Sequence, residues 1–252
     1  MTAQVAGLNN PTLTAQLREL RNTIWQLRNG ELAAAIQRED TSYSQVLGVA
    51  LPALRAVAQE YAPNQPLARL LIALPQREPL LLAQLVGDAM QFTPDDLARW
   101  LPSFRHPEVR NAACAYLLSA SPLAVQFSRE LVRANDPIRR ATGVLLLAHA
   151  LRRGNRQTWP TTPDPMPIDY FEKQFLPLTQ LAGLVDVQGL LQPMLFLARQ
   201  LALSPKLRHV ALSLANSLVD QPDTTASGTP RNLLYEELAQ GLEESKLGAQ
   251  SL

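Results

Sequence analysis

Residues 92–141 read FTPDDLARWLPSFRHPEVRNAACAYLLSASPLAVQFSRELVRANDPIRRA, and four of its five prolines punctuate the stretch at near-regular intervals. Pro94, Pro107, Pro122 and Pro137 stand 13, 15 and 15 residues apart. Thr93, Ser121 and Asp136, which precede three of them, are residue types whose side-chain oxygen caps a free helix amide. Proline at the first helical position loses no hydrogen bond, and its fixed φ is already helical. Asp95 and Asp96 add negative charge to the first turn behind Thr93, where the helix dipole favours it. These prolines start helices. Two such units give roughly 28–30 residues, within the helix-pair range of α-solenoid repeats.

The same reading extends outward. Asn10-Pro11, Ser204-Pro205 and Thr229-Pro230 repeat the cap-and-proline pair. Leu13, Leu17, Leu20, Ile24 and Leu27 recur at three- and four-residue spacing, and no run alternates with period two. The spacing predicts an all-α chain of helices over 11–29, 31–39, 52–61, 65–74, 77–91, 94–102, 107–119, 122–134 and 137–153. A second group follows over 168–182, 186–203, 205–219 and 230–245. Repeat length and cap chemistry fit HEAT-like helical repeats stacked as a curved α-solenoid. The stretch TWPTTPDPMP, residues 158–167, reads as a Pro-rich linker. The expected organisation is a basic repeat region over 1–157, that linker, helical hairpins over 168–220, and over 221–252 a linker followed by an acidic helix.

The 252 residues include one cysteine, Cys114, which excludes a disulfide framework. Residues 1–11 show neither the basic nor the apolar part of a secretory signal, and no apolar run of about 20 residues suits a bilayer. The expectation is a soluble cytoplasmic protein that does not enter a membrane. His106, His149 and His209 are far apart, with no Cys or carboxylate at metal-ligand spacing, so neither a metal site nor a cofactor is expected. His149, among Leu145, Leu146, Leu147 and Leu151, reads as a hydrogen-bonded core histidine, and Cys114 reads as a buried small hydrophobe.

The net charge of +1 hides an asymmetry. Residues 1–156 hold 17 arginines against 12 acidic side chains, and residues 157–252 hold 6 basic against 10 acidic ones. Arg133, Arg139, Arg140, Arg152, Arg153 and Arg156 could form a basic ridge. Guanidinium forks match phosphate oxygens, so such a ridge suits duplex DNA, whereas the acidic rear leaves another protein as an alternative partner.

Residues 43–150 resemble the bacterial DNA alkylation repair family, alkylpurine glycosylases built from HEAT-like repeats. Val46-Leu47-Gly48-Val49, Leu51-Pro52-Ala53-Leu54-Arg55 and Ala58-Gln59-Glu60-Tyr61 are similar to the start of its first repeats. Arg77-Glu78 opens an apolar helix with Leu85 and Val86 further along, Phe92-Thr93-Pro94-Asp95-Asp96-Leu97 resembles its "LTPDDL" start, and Pro137-Ile138-Arg139-Arg140-Ala141 its paired-arginine helix. The resemblance implies a catalytic segment, "SWWD.VD", at Phe104-Arg105-His106-Pro107-Glu108-Val109-Arg110. There the tryptophans fall on Arg105 and His106, and the aspartate falls on Arg110. Glycosidic chemistry needs an anion against the developing positive sugar, and arginine does the opposite. Three readings follow. The first is a non-catalytic repeat protein binding DNA on a basic concave face through Arg105, Arg110, Arg133, Arg139, Arg140, Arg152 and Arg153. The second is an active alkylbase glycosylase using Glu108, and the third a protein-interaction scaffold. Trp100 is a candidate cleft aromatic, and Trp159 a candidate partner contact.

Overall fold

A computed structural model describes residues 11–154, 167–219 and 229–250. All regular structure among them is helical, and fourteen α-helices are joined by short 3₁₀ and π turns. The chain packs as two units, Met1–Ser121 and Pro122–Leu252. Arg156 and Trp159, with residues 158–166 of the Pro-rich segment, lie outside the described residues.

The first unit holds α1 (Pro11–Gln26), α2 (Gly30–Glu39), α3 (Leu51–Gln59), α4 (Gln65–Leu71), α5 (Arg77–Val86), α6 (Pro94–Trp100) and α7 (Pro107–Ala112). Thr93 and Asp96 close a capping box at the start of α6. Asp96 also receives Nε and Nη2 of Arg69 at 2.8 and 2.9 Å and Nε2 of Gln65 at 3.1 Å. Burial pushes the Asp96 carboxyl up, but these donors outweigh it and hold the group below the usual carboxylate range. Helix α5 is the centre of the unit: it packs on α3, α4 and α7, and nine of its ten residues are buried.

The expected helix over 107–119 is wound three ways: α7, a π turn over Ala113–Leu117 and a 3₁₀ turn over Leu118–Ala120. Ala112, Ala113, Cys114 and Ala115 carry no branched side chain that would resist the rewinding.

The second unit holds α8 (Ala124–Val132), α9 (Pro137–Arg153), α10 (Ile168–Gln174), α11 (Leu178–Gly183), α12 (Leu191–Leu203), α13 (Arg208–Val219) and α14 (Thr229–Gln250). The side chain of Asp136 accepts the Arg139 amide and caps α9, as its sequence signal predicts. Two other signals behave differently. Pro122 and Pro205 sit in turns, and α8 and α13 begin two and three residues later. The helix expected over 168–182 breaks at Phe175, because Pro177 disfavours helical backbone at the residue before it. Helices α8 and α9 pack closely at Gly143, where a Cβ would stand 2.4 Å from the Val132 nitrogen. The core runs from Val125 to Leu238 through Phe171, Phe175, Met194 and Leu214.

Candidate nucleic-acid interface

The segment that precedes α3 has no strand or helix to absorb its backbone polar groups, so a side chain does it. The amides of Leu47, Gly48 and Val49 donate to the Glu78 carboxylate at 3.0, 3.0 and 3.3 Å. Gly48 makes the close approach possible: its φ is +73°, and a Cβ there would lie 2.1 Å from the Asn29 carbonyl oxygen. Arg77, next to Glu78 at the start of α5, is 3% exposed and donates to Val49 O and to Glu78. Its remaining fork grips Glu108 on α7 through both oxygens, with Nε to Oε2 at 2.7 Å. Glu108 is therefore the outer member of a buried ion-pair network.

The residue before α7 is the second anchor. His106 is 2% exposed, and its ring stacks on Tyr43 with centroids 3.9 Å apart and planes 8° off parallel. Its Nδ1 lies 2.8 Å from Asp40 Oδ2 and 3.1 Å from Ser42 Oγ. Arg105 Nε lies 3.3 Å from His106 Nε2 and can only donate, so Nε2 is the acceptor and Nδ1–H donates to Asp40. Burial pushes the Asp40 carboxyl up, and its hydrogen bonds from Ser42 and His106 bring it below the usual value.

Serine, histidine and aspartate thus meet, but not as a nucleophilic triad. Ser42 and Asp40 share one ring nitrogen, Ser42 donates its proton to Asp40, and the far nitrogen faces Arg105. Asp40, Ser42 and Tyr43 carry no motif; only the fold brings them to His106, which lies 63–66 positions further along the chain. Ile36, Tyr43, Arg105 and Glu108, with Glu39 and Asp40, line an open cleft of about 610 Å³.

The remaining expected residues part company. Arg110 is half-buried, its Nε is buried without an acceptor, and its guanidinium meets no carboxylate among the described residues. Burial pulls its pKa down, and Cys114, one turn further on, pushes weakly the other way. Arg133 serves the fold, donating to the carbonyls of Phe175, at 2.8 Å, and Lys173. Arg140 donates to Ala134 O at 3.0 Å. Arg139, Arg152 and Arg153 are exposed. The single ridge expected of these arginines is divided. Arg133, Arg139 and Arg140 gather at the start of α9, while Arg152 and Arg153 lie at its far end, about 20 Å away at 1.5 Å per residue.

Trp100 lines no cleft: it is fully buried, edge-on to Phe92 at 4.9 Å. Cys114 is also fully buried, and burial pushes its thiol up to about 12. His149 sits against Phe196 at 4.8 Å, and burial with the nearby Arg152 and Arg153 pulls its pKa down to about 4. Among the described residues no group of three or more His, Cys, Asp or Glu side chains could hold a metal ion. No described helix is long and apolar enough to cross a membrane.

The helical first unit, with Arg77-Glu78 at its centre, falls largely within the chain's match, over residues 13–162, to the model of the DNA alkylation repair enzyme family. The chain belongs to that family. A solved structure described as a new family of proteins related to the HEAT-like repeat DNA glycosylases, with affinity for branched DNA structures, shares the fold. It superposes with a TM-score of 0.65 at 18% identity, over 89% of this chain and 94% of that one. No curated protein matches the chain. Family membership and fold together establish a helical, HEAT-like member of the DNA alkylation repair enzyme family.

Proposed function

We propose that this chain is a non-catalytic member of its family that binds duplex DNA. Its phosphate contacts are Arg105, Arg110, Arg133, Arg139, Arg140, Arg152 and Arg153, with the exposed Arg139, Arg152 and Arg153 and the unpaired Arg110 foremost. The observation that carries this reading is Arg110. The resemblance aligns it with the family's essential aspartate, and it presents a half-buried cation with no counter-ion. A charge held this way gains most from an incoming anion, because the protein leaves it unpaired. Glu108, the nearest carboxylate, has both oxygens gripped by Arg77, which cancels its charge inside the protein rather than at a sugar. That the solved relative of the same fold has affinity for branched DNA supports a DNA partner.

The test is duplex binding by fluorescence anisotropy across a salt series, with release of methylated purine from alkylated DNA measured alongside. Arg110→Gln is expected to lower affinity and reduce the salt slope by about one phosphate. Base release is expected to stay at the level of the Glu108→Gln variant. Absence of duplex binding at low salt overturns the DNA reading. Base release that Glu108→Gln abolishes overturns the non-catalytic one.

A further inference from the structure

Helix α1 carries a large aromatic that the core does not use. Trp25 is 51% exposed, whereas Leu13, Leu20 and Ile24 of the same helix are buried. The Arg28 guanidinium lies 4.8 Å from the ring centroid, and its Nη1 donates to the Trp25 carbonyl at 3.0 Å, yet half of the residue remains open. Arg18, Arg21, Asn22 and Trp25 share one helix face by their three- and four-residue spacing. They line one wall of a cleft of about 430 Å³, within the roughly 300–1,000 Å³ typical of ligand clefts.

The cleft's chemistry is specific. Two arginines line it and no carboxylate does. On the opposite wall Gln76 Nε2 donates to Gln45 Oε1 at 2.7 Å. That bond leaves Gln45 Nε2 as a donor and Gln76 Oε1 as an acceptor, side by side and without a partner among the described residues. An aromatic plane, flanking guanidinium groups and a paired donor and acceptor are what one nucleotide of a single strand presents surfaces to. The base has a π-face and a hydrogen-bonding edge, and its phosphates are anions. Inside a duplex the faces are stacked on neighbouring bases and the Watson–Crick edges are paired.

We propose that this cleft is a second DNA-contact site, one that receives an unpaired base. The base stacks on Trp25, its edge meets Gln45 and Gln76, and the neighbouring phosphates meet Arg18 and Arg21. The proposal rests on the reading of DNA as the partner, but it uses none of the arginines of residues 105–153.

The full chain should be titrated against three fluorescent probes: a blunt duplex, a single strand of the same length, and a duplex with a single-stranded flap. Trp25→Ala is expected to weaken binding of the strand and the flap about tenfold, with blunt-duplex affinity within about twofold of the parent. Trp25→Phe, which keeps a stacking ring, should recover most of the loss. Arg18→Ala with Arg21→Ala should make the single-strand salt slope shallower by about 1.4. Since Trp25 is half-exposed, its variants should keep the parent's helical circular dichroism, which separates loss of contact from loss of fold. If the parent binds duplex and Trp25→Ala binds every probe as the parent does, or loses all three equally, the site is overturned and the duplex reading stands. If the parent binds the strand and not the duplex, with the Trp25 dependence intact, the site stands and the duplex reading falls. Binding of no probe at low salt overturns both.

Discussion

At the scale of single residues, the first unit depends on Glu78 to a degree its place in a helix does not reveal. Its carboxylate closes three backbone amides and helps hold Arg77, whose fork in turn holds Glu108. Glu78→Ala strands these donors in a dry interior and should cost about 3–5 kcal/mol, measurable by urea denaturation. His149 supplies a pH dependence. Its folded-state pKa, about 4, lies below the ordinary 6.5, so the unfolded chain binds the extra proton between those values. Stability in the second unit is thus fully present above pH 6.5 and falls as pH drops toward 4, by about 2 kcal/mol after allowing for partial solvent screening. His149→Gln should flatten that part of the stability profile. The interior place of Cys114 is legible in its apolar neighbourhood, whereas His149, expected in the core on the same ground, is half-buried against Phe196. The His106 cluster is not legible, because its partners Asp40, Ser42 and Tyr43 lie in a distant segment.

Among the elements, the α8–α9 hairpin is the tightest joint. Ser128 Oγ donates to Gly143 O at 2.9 Å, and Gly143 leaves no room for a Cβ against Val132 and Leu131. Gly143→Ala must push the helices apart and should destabilise by at least about 2 kcal/mol in thermal or chemical unfolding. The expected span of 137–153 matches α9 at both ends: Asp136-Pro137 starts it, and in the structure Gly154, at φ +61°, stops it. Shorter elements were less legible. Capping oxygens at Ser121 and Ser204 precede turns instead of helices, because a proline's φ suits a turn as well as a first helical turn. The acidic face of α14 is partly consumed within the fold. Arg199 of α12 reaches Glu237 at 3.4 Å and Glu244 at 3.1 Å, so these two carboxylates are paired within the unit.

For the whole molecule, the charge asymmetry is the property that function would feel. A near-neutral protein with its arginines concentrated in residues 1–156 should bind duplex weakly and lose affinity steeply with salt. Three neutralised phosphates correspond to a loss of about fortyfold between 50 and 200 mM salt. A salt-independent association would point to a protein partner instead.

The sequence by itself determined the helical class, the HEAT-like repeat length and the family, because period, cap chemistry and short motifs are local and survive without neighbours. The resemblance it carries also implies Arg110 at the place of the family's aspartate. Tertiary structure alone decided the rest. It fixed Glu108 in the grip of Arg77, split the expected ridge between the two ends of α9, buried Trp100 and left Trp25 open. Those outcomes depend on which side chains meet across distances of tens of residues and on how much water each keeps, and neither quantity is written in local pattern.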